Sequence, residues 1–145
     1  MIDQLYQKAI LKEAAAATGS GALSNPDLRL TVHNPLCGDR ITVYLKLEEN
    51  KVSAFSHETK ACVLCQASAS ILAECSIGET EQNIQAIYDS LKQGLSDKDL
   101  NDKIWPEDKW QALNIFQPVS DHKNRFTCVT LPFESILKAL RGDSE

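Results

Sequence analysis

Three short segments between residues 28 and 55 alternate apolar and polar side chains, and segments with helical spacing flank them on both sides. The apolar positions are Leu28, Leu30 and Val32 in the first segment, Ile41, Val43, Leu45 and Leu47 in the second, and Val52, Ala54 and Phe55 in the third. Glu49-Asn50 separates the last two segments and predicts a tight hairpin turn. Because alternation is typical of half-buried strands and the connections are short, the sequence predicts a three-stranded antiparallel sheet.

The remaining apolar positions follow the three-to-four-residue spacing of amphipathic helices. This spacing predicts helices over residues 2–17, 62–76 and 80–94, a short helical segment over 110–116, and a last helix over 132–140. We expect Gly19-Ser20-Gly21 to end the first helix, Thr80 to cap the third, and Pro132 to open the last. One helix, three strands and then several helices predict an α+β fold in which helices cover one face of the sheet.

Length and charge limit the class of protein. The chain has 145 residues, the size of one ordinary domain, so we expect residues 1–145 to form a single domain. A net charge of −5 argues against nucleic acid or an anionic membrane as the main partner. No apolar run approaches the roughly twenty residues that cross a bilayer, and the charged N-terminus does not look like a signal peptide. These observations predict a cytoplasmic protein.

The cysteines suggest chemistry rather than disulfides. There are five, an odd number that cannot pair fully within one chain, and cytosolic cysteines more often serve metals or catalysis. Cys62 and Cys65 form a C-x-x-C pair at the start of a predicted helix, where the helix dipole favours a thiolate. The alternating β and α units of thioredoxin-like proteins are absent. Metal binding, redox chemistry and simple packing all remain open for this pair.

A second group lies on the loop between the first two predicted strands. Gly38 permits a tight turn that lets Cys37 and Asp39 aim at a common point, although an ordinary turn with a buried cysteine is equally consistent. Thiolates are soft ligands and a carboxylate is hard, so this mixture suits a site that releases what it holds. With Cys62 and Cys128 the set reaches four ligands, enough for tetrahedral zinc or a small iron–sulfur cluster.

Three ordered motifs resemble the U-type iron–sulfur cluster assembly proteins, the IscU/NifU/SufU group. They are N-P-x-C-G-D-R at 34–40, C-x-x-x-x-A-S-A-S at 62–70 and R-x-x-C-x-x-L at 125–131. The resemblance implies a single NifU-like domain with a SufE/NifU-like α+β fold and a three-stranded antiparallel sheet. It also implies a scaffold that accepts sulfur from a cysteine desulfurase and passes a cluster to apo iron–sulfur proteins or carrier proteins.

The same resemblance assigns roles to individual residues. Cys37, Asp39, Cys62 and Cys128 match the ligands of the family, which implies a transient [2Fe–2S] cluster or Zn²⁺ at this site. Cys128 or Cys62 would be the sulfur acceptor. Cys65 is expected to be a bystander. Cys75 is expected to pack in the core, and the three histidines are not expected to be ligands: His33, His57 and His122.

Several details resemble the SufU branch more than the IscU branch. The segment between Cys62 and Cys128 is longer, and it contains W-x-x-L-x-x-F-x-x-V at 110–119. The L-P-P-V-K motif, through which IscU-type scaffolds engage their chaperone, is missing, and Thr127 replaces a histidine. The alternative to a scaffold is therefore a zinc-dependent sulfurtransfer partner of the desulfurase, and a structural zinc module is a third possibility. Arg125 either supports the thiolates or solvates a helix edge.

Overall fold

The computed structural model describes residues 8–34, 38–96, 106 and 108–142. Helix α1 spans Lys8–Ala16, and strands β1, β2 and β3 span Leu28–Asn34, Asp39–Glu48 and Lys51–Lys60. Helices α2, α3 and α4 span Val63–Cys75, Glu81–Ser96 and Phe126–Leu140. Two 3₁₀ segments, Gln111–Asp121 and Lys123–Arg125, lead into α4.

The predicted antiparallel sheet is confirmed, with strand order β1-β2-β3. Glu49 and Asn50 form the β2–β3 turn with positive φ values of 52° and 66°, the backbone of a two-residue hairpin turn. Strand β3 continues five residues beyond Phe55, where the alternation in the sequence stops. This part of β3 is held by backbone hydrogen bonds to the chain that follows α1. The His57 N–H donates to the Gly19 carbonyl, and the His57 carbonyl accepts the Gly21 N–H, each at 2.8 Å.

Helices cover one face of the sheet, as the sequence predicted. The inward side chains of β1 and β2 are buried against α4, whose own buried residues include Phe133 and Ile136. Helix α2 packs between α1, α4 and β3, and it is buried along nearly its whole length. Full burial of a Leu, Ile or Phe side chain stabilises the folded state by roughly 1.5–3 kcal/mol. The apolar layer between the helices and the sheet therefore fixes the position of the helices on the sheet.

The helix boundaries differ from the sequence prediction at two places. Helix α4 begins at Phe126, and Pro132 lies inside it, so the prediction that Pro132 opens this helix was wrong. A proline ring has no N–H, so Pro132 cannot donate the usual helical hydrogen bond to the carbonyl of Cys128. Helix α3 continues past Gly94, which is buried, to Ser96. The Thr80 cap is confirmed, because its hydroxyl accepts the Asn83 N–H at 3.2 Å.

The chain that follows helix α1 passes so close to α2 that position 19 has no room for a side chain. Gly19 has φ +77°, and a Cβ atom there would lie 2.6 Å from the Cβ of Ala73 on α2. The predicted Gly19-Ser20-Gly21 terminator is therefore confirmed, and its first glycine is required by close packing as well as by backbone conformation. The predicted start of this helix, residues 2–7, lies outside the described residues.

The segment before α4 is a 3₁₀-helix of 11 residues rather than the short helical segment expected. A 3₁₀-helix has three residues per turn, so the W-x-x-L-x-x-F-x-x-V pattern aligns its apolar side chains in one row. All four are buried: Trp110, Leu113, Phe116 and Val119. The Trp110 ring lies 5.9 Å from the Phe133 ring, centroid to centroid, which packs this segment against α4. None of the described helices is both long and apolar enough to span a bilayer.

Candidate metal centre

Asp39 is the first residue of β2, and its carboxylate is buried without a complete set of partners. The β1–β2 connection closes with the Asn34–Asp39 pair, and Gly38 donates its N–H to the Asn34 carbonyl at 2.9 Å. Asp39 is only 6% exposed, yet its Oδ2 atom has no hydrogen-bond partner among the residues that the structure describes. Leaving a buried polar atom unsatisfied costs about 1–3 kcal/mol. Such an atom is expected where a ligand or an ion completes the site.

Cys62 occupies the junction between β3 and α2. It is the N-cap residue of α2, with extended backbone angles, and its side chain is half-buried. Its sulfur makes no hydrogen bond with cap geometry, but the N–H groups of Cys65 and Leu64 lie close enough to favour a thiolate. A hydrogen bond from the Cys128 thiol is the main cause that lowers the pKa of Cys62 to about 6. Burial and the nearby charge of Asp39 oppose this shift.

Cys128 lies in the first turn of α4 and is 2% exposed. Its thiol donates to Cys62, and this hydrogen bond, together with burial, raises the pKa of Cys128 well above its usual value. The hydrogen bond between the two thiols therefore lowers the pKa of Cys62 and raises the pKa of Cys128, which favours the thiolate on Cys62. The Arg125 side chain hydrogen-bonds to the Cys128 sulfur and opposes the rise in pKa. This contact favours the first of the two roles considered for Arg125, support of a thiolate.

The three side chains meet at one point. A carboxylate oxygen of Asp39 and the sulfurs of Cys62 and Cys128 all lie within 4.8 Å of one another. Thiolate ligands of a tetrahedral zinc ion, at about 2.3 Å from the metal, are separated by about 3.8 Å. Side-chain movements of about 1 Å thus suffice to bring these atoms to ligand distance. The Asp39 carboxylate, one thiolate and a second sulfur form a donor set that fits a thiophilic cation.

Comparison with known protein families shows to which family this chain belongs. Residues 5–129 match the family described as the NifU-like N terminal domain. The chain belongs to this family. The resemblance inferred from the three motifs is therefore confirmed, and so is the predicted fold class.

Relatives with similar sequences have related names. The NifU-like chain is 28% identical over 137 residues to the iron-sulfur cluster assembly scaffold protein IscU of Thermotoga maritima, covering 94% of this chain and 93% of that one. It is 29% identical over 142 residues to the zinc-dependent sulfurtransferase SufU of Bacillus subtilis, and the match covers 96% of this chain and 91% of SufU. The two identities are nearly equal, so they do not separate the two branches.

Solved structures support the same fold. The N-terminal part of a nitrogen-fixing NifU-like protein from Brucella abortus superposes with a TM-score of 0.87 at 37% identity, covering 97% of this chain and 94% of that one. A putative scaffold protein for the SUF system from Fervidobacterium islandicum superposes with a TM-score of 0.82 at 22% identity, covering 95% and 98%. At that identity the second match shows the fold alone.

The other candidate residues that the structure describes in the NifU-like chain fall outside the cluster. Cys37 lies outside the described residues. Cys65 is fully buried in the apolar core, and Cys75 is also buried, donates to the Lys109 carbonyl at 3.2 Å, and has a pKa raised by burial to about 11. Core packing of Cys75 is therefore confirmed. Both ring nitrogens of His57 are engaged, one with Thr59 at 2.8 Å and the other with the Thr18 carbonyl at 2.9 Å.

The serines of the A-S-A-S motif hold the site together, a role that sequence reasoning missed. The Ser68 hydroxyl on α2 donates to the Val129 carbonyl on α4 at 2.6 Å, next to Cys128. Ser70 donates to Glu13 on α1 at 2.9 Å. The flanking alanines, Ala67 and Ala69, are fully buried and let the helices approach closely. The signal was present in the small-residue pattern of the motif, but the partners of each serine are remote in sequence.

A side-chain hydrogen bond also joins the end of β1, beside the site, to α4. The buried amide of Asn34, at the end of β1, donates to the Thr127 hydroxyl at 3.0 Å. Asn34 also accepts the Gly38 N–H with its own carbonyl. One residue thus links the turn that precedes Asp39 to the helix that carries Cys128. Thr127, noted from the sequence only as a replacement for histidine, is a structural partner in this NifU-like chain.

The thiol pair predicts which cysteine reacts first in the metal-free protein. We expect iodoacetamide to modify Cys62 before the other described cysteines, because a thiolate is the nucleophile and Cys62 is the more exposed member of the pair. Deprotonation proceeds as pH rises through the pKa, so the rate should increase between about pH 5 and pH 7 and then level off. Timed alkylation with peptide mass spectrometry measures this profile.

A matched variant tests the cause of the shift. Cys128→Ala removes the thiol that donates to Cys62, so the midpoint of the alkylation profile should move to higher pH. Cys75→Ala removes a buried thiol outside the pair and should leave the profile unchanged. A wild-type midpoint near the ordinary thiol value of about 8.5 would contradict the assigned thiolate.

Proposed function

We propose that this protein is an iron–sulfur cluster assembly scaffold that accepts sulfur from a cysteine desulfurase. The observation that supports it most is the buried Asp39 carboxylate, which lies beside two thiols and has one oxygen without a partner among the described residues. The relatives of the chain include a protein named as a scaffold. None of the four described cysteines forms a disulfide, which suits the reducing cytoplasm. In this role the protein is a carrier rather than a turnover enzyme.

Sulfur acceptance is assigned to Cys62. Its thiolate attacks the outer sulfur of the persulfide on the desulfurase, a new S–S bond forms on Cys62, and the desulfurase cysteine leaves as a thiolate. Cys62 is half-buried and its pKa is lowered to about 6, whereas Cys128 is 2% exposed and its pKa is raised. Of the two acceptors that the sequence left open, the site geometry favours Cys62.

The cargo is assigned to Asp39, Cys62 and Cys128, with Cys37 of the N-P-L-C-G-D motif as the fourth ligand. Soft thiolates hold iron or zinc tightly, and the single hard carboxylate is the ligand most easily displaced by a thiol of a recipient protein. Arg125 offsets the charge that accumulates when both described cysteines are deprotonated. The cargo, a [2Fe–2S] unit, then leaves to apo iron–sulfur proteins or carriers.

A second candidate function is a zinc-dependent sulfur relay. It is favoured by the sulfurtransferase SufU of Bacillus subtilis, which matches nearly the whole chain, and by the carboxylate and two sulfurs available to zinc. In this alternative zinc occupies the site until the desulfurase displaces one cysteine, which then takes the persulfide sulfur. Cluster assembly would be the task of another protein.

One paired anaerobic assay tests both candidates. The protein is reconstituted with ferrous iron, cysteine, the cysteine desulfurase of the same organism and a dithiol that reduces the persulfide sulfur to sulfide. Cluster formation and then transfer to an apo-ferredoxin are followed by visible circular dichroism. In parallel, desulfurase turnover is measured with zinc-loaded and metal-free protein. A transferable cluster is the expected result. Zinc-dependent stimulation of turnover without a cluster would favour the relay, and neither activity would overturn both.

A further inference from the structure

A basic groove lies on the face of the sheet that the helices do not cover. It is defined by six side chains: Arg29 and Thr31 on β1, Arg40 and Thr42 on β2, and Glu58 and Lys60 on β3. Strand register aligns them, because Thr31 pairs with Thr42, Thr42 pairs with Glu58, and Arg40 pairs with Lys60. The cavity that they line has a volume of about 310 Å³.

The groove concentrates positive charge on an acidic protein. It holds three cations and one carboxylate, whereas the whole chain has a net charge of −5. The carboxylate, Glu58, accepts a hydrogen bond from the Tyr44 hydroxyl. Arg29 lies over the Tyr44 ring at 5.7 Å from its centroid. Within the ranges that the structure describes, Arg40 and Lys60 form no ion pair, so their charges are available to a partner.

The groove reaches the same end of the sheet as the metal centre. Arg40 directly follows Asp39 in β2, and its pairing partner Lys60 is the last residue of β3, two positions before Cys62. Neighbouring residues of a strand point to opposite faces, so Arg40 lies on the uncovered face while Asp39 turns towards the helices. A partner that reaches around this end of the sheet contacts both the groove and the site.

We propose that the basic groove receives an acidic surface beside the reactive cysteine of the desulfurase, and steers that protein onto the site. This proposal rests on the proposed function, because sulfur exchange needs direct contact between a thiolate and a persulfide. Complementary charge raises association rates by about 10- to 1,000-fold and sets orientation. Arginine, here the exposed Arg29, is also among the residues that most often contribute strongly to protein interfaces.

A protein partner fits the groove better than a small anion does. The cations are side chains on an open sheet face, with Arg29 and Lys60 exposed and Arg40 half-buried. An exposed ion pair changes affinity by less than about fivefold, so a few such pairs hold a free carboxylate only weakly. The same charges act together on a large approaching protein, where their effect appears in the rate of association.

The test measures association of the metal-free protein with the cysteine desulfurase of the same organism by stopped-flow fluorescence at several salt concentrations. The double variant R40E/K60E is expected to lower the association rate at low ionic strength by about tenfold or more, with the difference fading as salt rises. The variant R29E, farther from Asp39 along the sheet, should lower the rate by a smaller factor. The control K51E/K138E makes the same charge change at exposed positions outside the groove. It is expected to lower the association rate less than R40E/K60E does.

Two readouts separate this proposal from the proposed function. Zinc titration and cluster assembly from inorganic sulfide, without desulfurase, should be unchanged in R29E and K51E/K138E. Equal association rates for the groove and control variants would overturn the groove while leaving the scaffold proposal intact. A citrate dissociation constant below about 1 mM that is lost in R40E/K60E would also overturn it, in favour of a small-molecule site. If the wild-type protein did not bind the desulfurase, the groove proposal would be overturned. Cluster assembly from inorganic sulfide would still test the scaffold proposal.

Discussion

Asp39→Ala is expected to slow transfer of an assembled cluster to an apo-ferredoxin by about tenfold or more, a change of about 1.4 kcal/mol in the barrier. The Asp39 charge opposes the thiolate of Cys62, so its removal should let the sulfurs hold the cargo more tightly. It also removes a hard, easily displaced ligand. The metal-free variant should be more stable than the wild type, because a buried oxygen without a partner is lost.

Two measurements check this result. Transfer is followed by circular dichroism after mixing the loaded protein with the acceptor, and stability of the metal-free protein by chemical denaturation. Asp89→Ala on α3, at an exposed position outside the site, is the matched control and should change neither quantity appreciably. Equal transfer rates for Asp39→Ala and the wild type would remove Asp39 from its role as the labile ligand.

Alanine substitutions of single cysteines should divide these residues into two groups. Cys62→Ala and Cys128→Ala are expected to weaken zinc binding by about a hundredfold, because each removes a sulfur from the cluster with Asp39. Cys37→Ala is expected to behave in the same way, on the basis of its motif. Cys65→Ala and Cys75→Ala should keep zinc affinity, since both thiols are buried outside the cluster. Competition with a chromophoric chelator measures the affinities.

Folding must be separated from binding in this series. Cys65 is fully buried in the core, so its truncation should lower stability while leaving the metal site in place. Thermal denaturation of each metal-free variant gives that cost independently of zinc. If Cys65→Ala lost zinc as severely as Cys62→Ala while remaining folded at the assay temperature, Cys65 would have to be counted as a ligand.

Much of the fold followed from local patterns. Strand β1 was predictable because its two faces differ in burial, which forces an alternation in the sequence. Strand β2 was predictable from its alternating apolar residues, Ile41, Val43 and Leu45, although residues on both of its faces are buried. The second half of β3 was not, because its buried residues Ser56 and His57 are polar and depend on the chain that follows α1. The start of α4 was placed too late because a proline is more common in the first turn than in the middle of a helix.

The site was predictable in residue types but not in arrangement. The motifs identified Asp39, Cys62 and Cys128 as candidates, and they also led to the correct family. No local rule shows that Ser68 bonds to the Val129 carbonyl, or that Asn34 bonds to Thr127, because these partners are far apart along the chain. These contacts nevertheless hold the ligand-bearing elements in position.

The sequence by itself determined the secondary-structure classes, the soft and hard donor types, and the membership of a family, because these depend on neighbouring residues and on short motifs. Only the tertiary structure brought the Cys62 and Cys128 thiols together, where their hydrogen bond lowers the pKa of Cys62 and raises the pKa of Cys128. Only strand register brought Arg40 and Lys60 together beside the site. The physical reason is that pKa shifts and charge clusters arise from distances of a few ångströms between atoms, and folding sets those distances between segments that are remote in the chain.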